Sequence, residues 1–241
     1  MQLFVTEYTK KENIIIIANI ELLSQVRKVL RASIGDRIRI QSPHLENHKT
    51  RYEVRIEVWD NKTLEGTIVS QQDYVISDEK RSMIISMPNK WDKIELIVQK
   101  LTECGLGQII FWPSERSVIK EWNTKKEERL HKIIKEAVEQ SRWWNVPHLG
   151  FATDIKQYLQ DTDVVVFDKP EKKEQTKKQQ GQVAIVKSHI TGIIWPEWGF
   201  TDRDYDIFAG TTYDVYWLGE TVLRTETAAI VWWRILKNNF K

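Results

Sequence analysis

The chain has 241 residues, and 36 Lys and Arg face 34 Asp and Glu, which leaves a formal net charge of only +2 at pH 7. This near balance excludes a strongly basic or acidic protein, so any binding of nucleic acid must depend on a local basic surface. A single cysteine, Cys104, excludes an internal disulfide framework and favours a reducing compartment, the cytoplasm.

The apolar segments are too short for a membrane protein. The longest early run, residues 14–18, cannot cross a bilayer, and no export signal accompanies it. A chain of this length can bury a substantial core and favours two domains over one. We therefore expect a cytoplasmic protein of two domains with neither a membrane-spanning segment nor a metal.

The first predicted domain, residues 1–72, is rich in short strands. Strand-forming residues cluster at 13–17, 37–40 and 52–58, and the last of these alternates strictly between apolar and polar residues. This pattern predicts a small half-buried β-barrel. Arginines recur on two of these strands, at Arg37, Arg39, Arg51 and Arg55, and we interpret them as a solvated surface.

One helix is predicted between the first two strands. Asn19 can cap its amino terminus, because asparagine is a favoured N-cap residue. The apolar residues that follow have helical spacing: Leu22, Leu23, Val26, Val29 and Leu30.

The second predicted domain, residues 73–241, begins after a polar stretch. Strands and longer helices alternate here, which predicts an α/β layer architecture with a parallel sheet. Buried strands are expected at 163–167 and 182–186, separated by a charged, solvated and mobile loop at 169–182. The apolar segment 228–236 predicts a C-terminal helix that serves either as a dimer interface or as core.

Two further helices have recognisable ends. Thr124 and Glu127 have the spacing of a capping box for the second of them. Gly105 stands where a left-handed C-terminal cap would end the first. The predicted buried faces are Ile94, Ile97, Val98, Leu101 and Cys104 in the first helix, and Leu130, Ile133, Ile134, Ala137 and Val138 in the second.

Two segments stand out as candidate ligand loops. Residues 193–200 (Ile-Ile-Trp-Pro-Glu-Trp-Gly-Phe) break a hydrophobic strand with proline and glycine, and residues 218–228 (Leu-Gly-Glu-Thr-Val-Leu-Arg-Thr-Glu-Thr-Ala) carry an unusual run of polar side chains. In this order they resemble the cofactor loops of the RsmE group of 16S rRNA uridine N3-methyltransferases, within the knotted SPOUT class. Further matching blocks lie at 29–31, 35–36, 90–105, 114–117, 136–141 and 146–147.

The resemblance implies a fold, a cofactor and partners. It implies a PUA-like RNA-binding barrel at 1–72, followed at 73–241 by a trefoil-knotted α/β methyltransferase domain. The cofactor would be S-adenosylmethionine, held bent between the two loops, and the partners would be 16S rRNA of the small ribosomal subunit and a second copy of the chain. The reaction would transfer a methyl group to N3 of a uridine.

The same resemblance implies roles for individual residues. The residues implied to bind the cofactor are Trp195, Pro196, Glu197, Trp198, Gly199, Leu218, Gly219, Leu223, Thr225 and Thr227. An alternative is that Leu223 and the two threonines merely begin and cap a packed helix. Those implied to hold RNA are Arg31, Lys100, Arg116 and Arg142, although each alone could be an ordinary surface charge.

Arg224 is the candidate catalytic residue, because a guanidinium stays protonated and can stabilise a deprotonated uracil. Glu226 is expected to orient it. The alternative is a structural Arg–carboxylate pair across a dimer interface, and no general base can be assigned.

The chain departs from the family at three glycine positions, which carry Trp91, Trp195 and Trp198. Glycine permits positive φ and close backbone approach, whereas two indoles in one loop could fill the cofactor pocket. The chain has 10 Gly and 11 Trp. One hypothesis is that UGA encodes glycine in the source of this sequence but was translated as tryptophan. UGG codons at these positions would disprove it.

Two other functions stay open. One is a catalytically silent RNA-binding homologue whose cofactor pocket is blocked by Trp195 and Trp198. The other is a SPOUT enzyme that acts on a different RNA.

Overall fold

The computed structural model describes residues 1–44, 48–75, 81–167, 189–208, 210–216 and 221–239. The chain divides into two compact units. The first comprises residues 1–76 and 135–146, and the second comprises residues 77–134 and 147–241. The strand predicted at 182–186 and the loop predicted at 169–182 lie outside the described residues.

The first unit is built on a six-stranded sheet, and its core lies on the face that carries the alternating apolar residues. The strands predicted at 13–17, 37–40 and 52–58 are confirmed. In the sheet the order is β1-β4-β5-β6-β3-β2, in which β1 and β4 are parallel and the other pairs are antiparallel. The bounds are β1 Leu3–Val5, β2 Thr9–Lys11, β3 Ile14–Ile17, β4 Arg37–Gln41, β5 His48–Trp59 and β6 Leu64–Val75.

The helix between β3 and β4 is confirmed, but its predicted face is partly wrong. Helix α1 spans Ile20–Ser24, and Asn19 Oδ1 accepts a hydrogen bond from Leu22 N at 3.0 Å, as predicted for an N-cap. A π-helix, Gln25–Val29, then continues the chain. Because its wider turn rotates the following side chains, Val29 is 76% exposed instead of buried.

Arg51 contradicts the prediction of a solvated arginine surface. Its guanidinium is buried, donates to Gln41 Oε1 at 2.7 Å and lies 3.8 Å from the ring centroid of Trp144. It also donates to the carbonyls of Arg142 and Trp143, which directly follow a helix that ends at Ser141. Burial lowers the pKa of Arg51 to about 10, so the side chain remains protonated near neutral pH.

The second unit contains a six-stranded sheet in which every strand pair is parallel, as predicted. Its order is β12-β10-β11-β7-β8-β9. Parallel strands place all of their carboxyl ends at one edge, where α/β proteins bind ligands. The bounds are β7 Arg81–Ser86, β8 Gln108–Trp112, β9 His148–Phe151, β10 Asp163–Phe167, β11 Ile190–Ile194 and β12 Tyr213–Tyr216.

Four more helices have the bounds α2 Trp91–Cys104, α3 Thr124–Ser141, α4 Asp202–Phe208 and α5 Thr225–Asn239. Gly105 ends α2 with φ of +87°, as predicted for a left-handed cap. The capping box predicted at Thr124 is wrong by one residue. Asn123 is the cap, because its Oδ1 accepts from Lys126 N at 3.1 Å, three residues later.

One face of helix α5 packs on the sheet. Of the two alternatives for this helix, dimer interface or core, this face is therefore part of the core. Ala228, Ala229, Trp232 and Trp233 are buried. A Cβ on Gly192 of β11 would lie 2.5 Å from Trp232 Nε1, so only glycine leaves room for this indole. Within the described ranges, no helix is long and apolar enough to cross a membrane.

The carboxyl group of Glu139 predicts a pH-dependent stability. Burial raises its pKa, although Val5 N, which donates to Oε1 at 2.8 Å, acts in the opposite direction. Because the folded pKa is the higher one, Glu139 stabilises the fold below its unfolded pKa of about 4.3. That contribution is lost as the pH rises through the folded pKa.

We therefore expect Glu139→Gln, which keeps an acceptor for Val5, to resist urea unfolding better than the wild type near pH 7 and similarly near pH 4. Glu128→Gln, at an exposed position of the same helix, is the matched control and should show no such pH-dependent gain. A difference in free energy of unfolding that is constant with pH would contradict the assignment.

Candidate functional site

The first candidate loop leaves the carboxyl edge of the parallel sheet. Strand β11 ends at Ile194, and residues 195–199 follow directly. Gly199 N donates to the carbonyl of Pro196 at 2.9 Å, which closes a tight turn, and Gly199 has φ of +75°. Glycine suits this backbone geometry because it has no Cβ.

The second candidate segment meets the first through a buried hydrogen bond. Thr225 Oγ1 donates to the carbonyl of Trp195 at 3.2 Å, across 30 residues of sequence. Thr225 is fully buried, and it is the first residue of α5. The two loops identified from the sequence are therefore neighbours in the fold.

An ion pair holds the first loop against helix α2. Lys93, in the first turn of α2, pairs with Glu197, and both side chains are largely shielded from solvent. Arg116 Nη1 donates to the carbonyl of Trp198 at 2.6 Å. Residues 195–199 are thus held from three directions, by α5, by α2 and by the segment after β8.

The tryptophans occupy different environments. Trp195 is buried, whereas the Trp198 side chain is 72% exposed and points away from the interior. Trp91 begins α2 beneath Lys126 Nζ, which lies 4.7 Å from its ring centroid. None of the three has positive φ, so the expected backbone conflict at these positions is absent. Of the two indoles expected to fill the pocket, Trp195 is buried and Trp198 is not.

Two buried polar atoms near this edge have no hydrogen-bond partner among the described residues: Ser86 Oγ and Glu226 Oε2. Ser86 ends β7, one residue after Ile85, which pairs with Ile194 of β11. Ser86 therefore lies level with Trp195. Because a buried polar group without a partner is costly, such atoms indicate a site that is completed by a ligand.

The remaining residues of the second loop are partly solvent-exposed. Arg224 is exposed, and its carbonyl accepts from Ala228 N at 2.8 Å at the start of α5. Its guanidinium makes no hydrogen bond or ion pair with any described residue, so the expected pairing with Glu226 is not formed. Leu223 is half-buried and Thr227 is exposed. Leu218 and Gly219 lie outside the described residues.

The four residues expected to hold RNA are divided between the two units. Arg31 and Arg142 belong to the first unit, where both are exposed and have positive φ. Lys100 pairs with Glu103 on α2 at 2.9 Å. Arg116 donates a hydrogen bond to a described residue of the first candidate loop, Trp198.

Sequence reasoning missed the roles of Lys93 and Ser86. Lys93 lies inside the 90–105 block that carries the family resemblance, but its pairing with Glu197 joins positions 104 residues apart. Ser86 could have been found as the polar end of an apolar strand, since residues 83–85 are fully buried.

Comparison with known proteins gives the class. Residues 77–237 match the family described as RNA methyltransferase domain, which covers most of the second unit. The chain belongs to this family, and the resemblance predicted from the two loops is confirmed.

Two relatives of the chain are named for a particular RNA substrate. The chain is 35% identical over 158 residues to ribosomal RNA small subunit methyltransferase E of Bacillus subtilis, and 32% identical over 148 residues to the protein of that name from Rickettsia conorii. The matched part covers 58% of this chain in both cases, but only 59% and 57% of the two relatives.

A solved structure extends the likeness of fold. The Neisseria gonorrhoeae enzyme of the same name, bound to S-adenosyl methionine, superposes with a TM-score of 0.79 at 18% identity over 100% of both chains. At this identity the likeness concerns the fold alone.

The hydrogen bond between the loops gives a direct prediction. Thr225→Val removes the donor and leaves the Trp195 carbonyl without it, so we expect a loss of about 1 to 3 kcal/mol in the free energy of unfolding. Amide hydrogen exchange at Gly199 should also become faster.

The matched control is Thr227→Val, on the same helix but exposed. Threonine and valine have similar helix propensities, so it should change stability by less than about 0.5 kcal/mol. Equal effects of the two substitutions would show that the hydrogen bond does not hold the loops together.

Proposed function

We propose that this protein is an S-adenosylmethionine-dependent methyltransferase that modifies N3 of a uridine in 16S rRNA of the small ribosomal subunit. The observation that carries the proposal is the hydrogen bond between Thr225 and Trp195, which joins the two candidate cofactor loops at the carboxyl edge of a parallel sheet. Membership of the RNA methyltransferase family supports it, as do relatives named for a ribosomal RNA substrate.

The residues present fit the cofactor. S-adenosylmethionine carries amino and hydroxyl donors and one sulfonium charge, and a pocket for it needs acceptors and apolar walls. The unpartnered Glu226 Oε2 and Ser86 Oγ provide buried polar atoms, and the backbone of residues 195–199 provides further donors and acceptors. The half-buried Leu223 and the exposed Thr227 of the second loop would flank the cofactor together with Leu218 and Gly219.

The chemistry of the acceptor base assigns a role to Arg224. The cofactor supplies an electrophilic methyl group when bound. The uracil N3–H is weakly acidic, so transfer requires stabilisation of the deprotonated base. The exposed guanidinium of Arg224, which no described residue engages, can donate to a uracil oxygen as negative charge develops there.

The same proposal includes a knot in the second unit, a barrel in the first unit and a dimeric assembly. We infer that the second unit forms the trefoil knot of SPOUT enzymes, with the parallel sheet and the two joined loops as support. We also propose that the sheet of the first unit closes as a PUA-like RNA-binding barrel, that residues 1–72 and 73–241 are its functional domains, and that the protein works without a metal as a cytoplasmic homodimer. Arg31, Lys100 and Arg142 would then contact RNA phosphates.

Cofactor binding separates the enzyme from the silent homologue. We expect saturable binding of S-adenosylmethionine by the wild-type chain in calorimetric titration. A blocked pocket would instead show no binding, with restoration in Trp195→Gly. Trp198→Gly serves as the matched control, because its indole already faces solvent and its removal should leave the affinity unchanged.

The base and the RNA are tested by product analysis. The protein is incubated with S-adenosylmethionine and small ribosomal subunits from a strain that lacks the gene, and the rRNA nucleosides are analysed by mass spectrometry. We expect 3-methyluridine. Another methylated nucleoside, or methylation only of another RNA, would favour the alternative SPOUT enzyme.

Arg224 is tested in the same assay. Arg224→Ala should lower kcat by about a hundredfold, because a donor to the developing charge is lost, while the Kd for the cofactor should stay unchanged. Arg224→Lys should be intermediate, since it keeps the charge without the planar fork. Arg234→Ala, an exposed arginine on α5, should behave as wild type. A normal kcat in Arg224→Ala would remove this residue from the mechanism.

A further inference from the structure

A pocket of about 340 Å³ adjoins the first cofactor loop in the second unit. One wall is formed by Glu115 and Arg116, which follow β8. The other wall is formed by residues just before and at the start of α4: Phe200, Thr201, Asp202, Arg203 and Tyr205. Its volume lies within the usual range for small-ligand sites and suits a single nucleotide. Of the segment 193–200, Phe200 lines this pocket, whereas none of residues 195–199, which are assigned to the cofactor, does so.

The pocket is nevertheless tied to the cofactor loop. Phe200 follows Gly199 directly, and Arg116 of the opposite wall donates to the carbonyl of Trp198 at 2.6 Å. A ligand in the pocket would therefore lie beside the segment that we assign to the cofactor.

A buried carboxylate holds the two walls together. Asp204 Oδ1 accepts from Glu115 N at 2.9 Å, and Asp204 Oδ2 accepts from Thr201 N at 2.9 Å. Asp204 is only 1% exposed. A site with fixed walls binds its ligand without a large cost of ordering its own side chains.

The lining of the pocket carries two positive and two negative side chains. Arg203 Nη1 donates to Glu115 Oε1 at 2.9 Å, while the Arg203 side chain remains 83% exposed. A hydrogen bond from Thr201 and the nearby Arg203 lower the pKa of Glu115, which keeps it ionised as an acceptor. Two arginines are balanced by Glu115 and Asp202, so the lining carries no net charge that would select a phosphate.

One half-buried aromatic ring, Tyr205, completes the lining, and it packs edge-on against the buried Phe200. The ring centroids of Phe200 and Tyr205 are 5.8 Å apart at an interplanar angle of 71°. Proteins that read single-stranded RNA stack its bases on aromatic side chains and on guanidinium planes, and bind base edges through donors and acceptors. A lining without net charge, the half-buried ring of Tyr205 and the exposed guanidinium of Arg203 together match a nucleobase better than a phosphate.

We propose that this pocket binds an unpaired nucleobase of the RNA substrate next to the methyl acceptor, with Arg203 as its main contact. The inference rests on the proposed function for the identity of the RNA. It adds a base-binding site to a chain whose overall charge supplies little attraction for RNA.

The test compares two strands of equal charge, a short single-stranded oligouridylate and an abasic ribose-phosphate strand of the same length. We expect Arg203→Ala to weaken binding of the oligouridylate by about tenfold or more and to leave binding of the abasic strand unchanged. The matched control is Arg129→Ala. Arg129 of α3 is also an exposed arginine paired with a glutamate, Glu95 of α2, at 2.7 Å, but it does not line the pocket. This control should bind both strands as the wild type does.

Three results would overturn the inference: unchanged oligouridylate affinity in Arg203→Ala, an equal loss for both strands, or no binding of oligouridylate by the wild type. Photocrosslinking of 4-thiouridine-labelled strand adds a readout that needs no variant, and the crosslinked peptide should contain Tyr205. Crosslinks confined to other peptides would also overturn it. Failure of the proposed function would look different. In that case binding would depend on the base and on Arg203, but no 3-methyluridine would form.

Discussion

The hydrogen bond from Thr225 Oγ1 to the Trp195 carbonyl is the interaction on which the candidate site depends. It joins the end of a buried strand to the beginning of α5, and it does so where neither partner can reach water. A buried carbonyl that lost this donor would carry the full cost of its desolvation, so the two segments are held together by more than the small net energy of one exposed hydrogen bond. Arg224 owes its place beside the first loop to this contact.

The parallel sheet explains why the polar groups collect at one edge. Its four central strands, β7, β8, β10 and β11, are almost wholly buried, so their polar groups become available only where these strands end. Ser86, the residues after Ile194 and the start of α5 all lie there. The unpartnered atoms of Ser86 and Glu226 cost stability in the free protein, a cost that a bound ligand with matching donors would offset.

Charges act in this protein mainly as fixed local pairs. The net charge of +2 provides little long-range attraction for RNA. Lys93 with Glu197 and Arg203 with Glu115 instead hold loops in place around the candidate site. In the first unit, Arg51 fixes the end of α3 by donating to two carbonyls and stacking on Trp144. Specific geometry thus replaces a strong overall field.

The sequence by itself determined the local elements and the family, because apolar periodicity, caps and short motifs are properties of neighbouring residues. It therefore predicted the strands of the first unit, the parallel sheet of the second and the Asn19 and Gly105 caps. It also singled out the two candidate loops, which the fold brings together. The predictions from sequence were wrong where the same local pattern is compatible with either a buried or an exposed side chain. A π-helix turned Val29 outward, and alternation could not show that Arg51 faces a helix end instead of solvent.

Only the tertiary structure decided which distant residues meet. The Lys93–Glu197 pair, the Thr225–Trp195 hydrogen bond and the Asp204 bridge connect positions that the fold brings together, and no local spacing encodes them. The same holds for the different fates of Trp195 and Trp198, which are close in sequence although one is buried and the other is exposed. Side-chain direction at the end of a strand follows from the turn and its tertiary contacts, so residue type alone could not distinguish them.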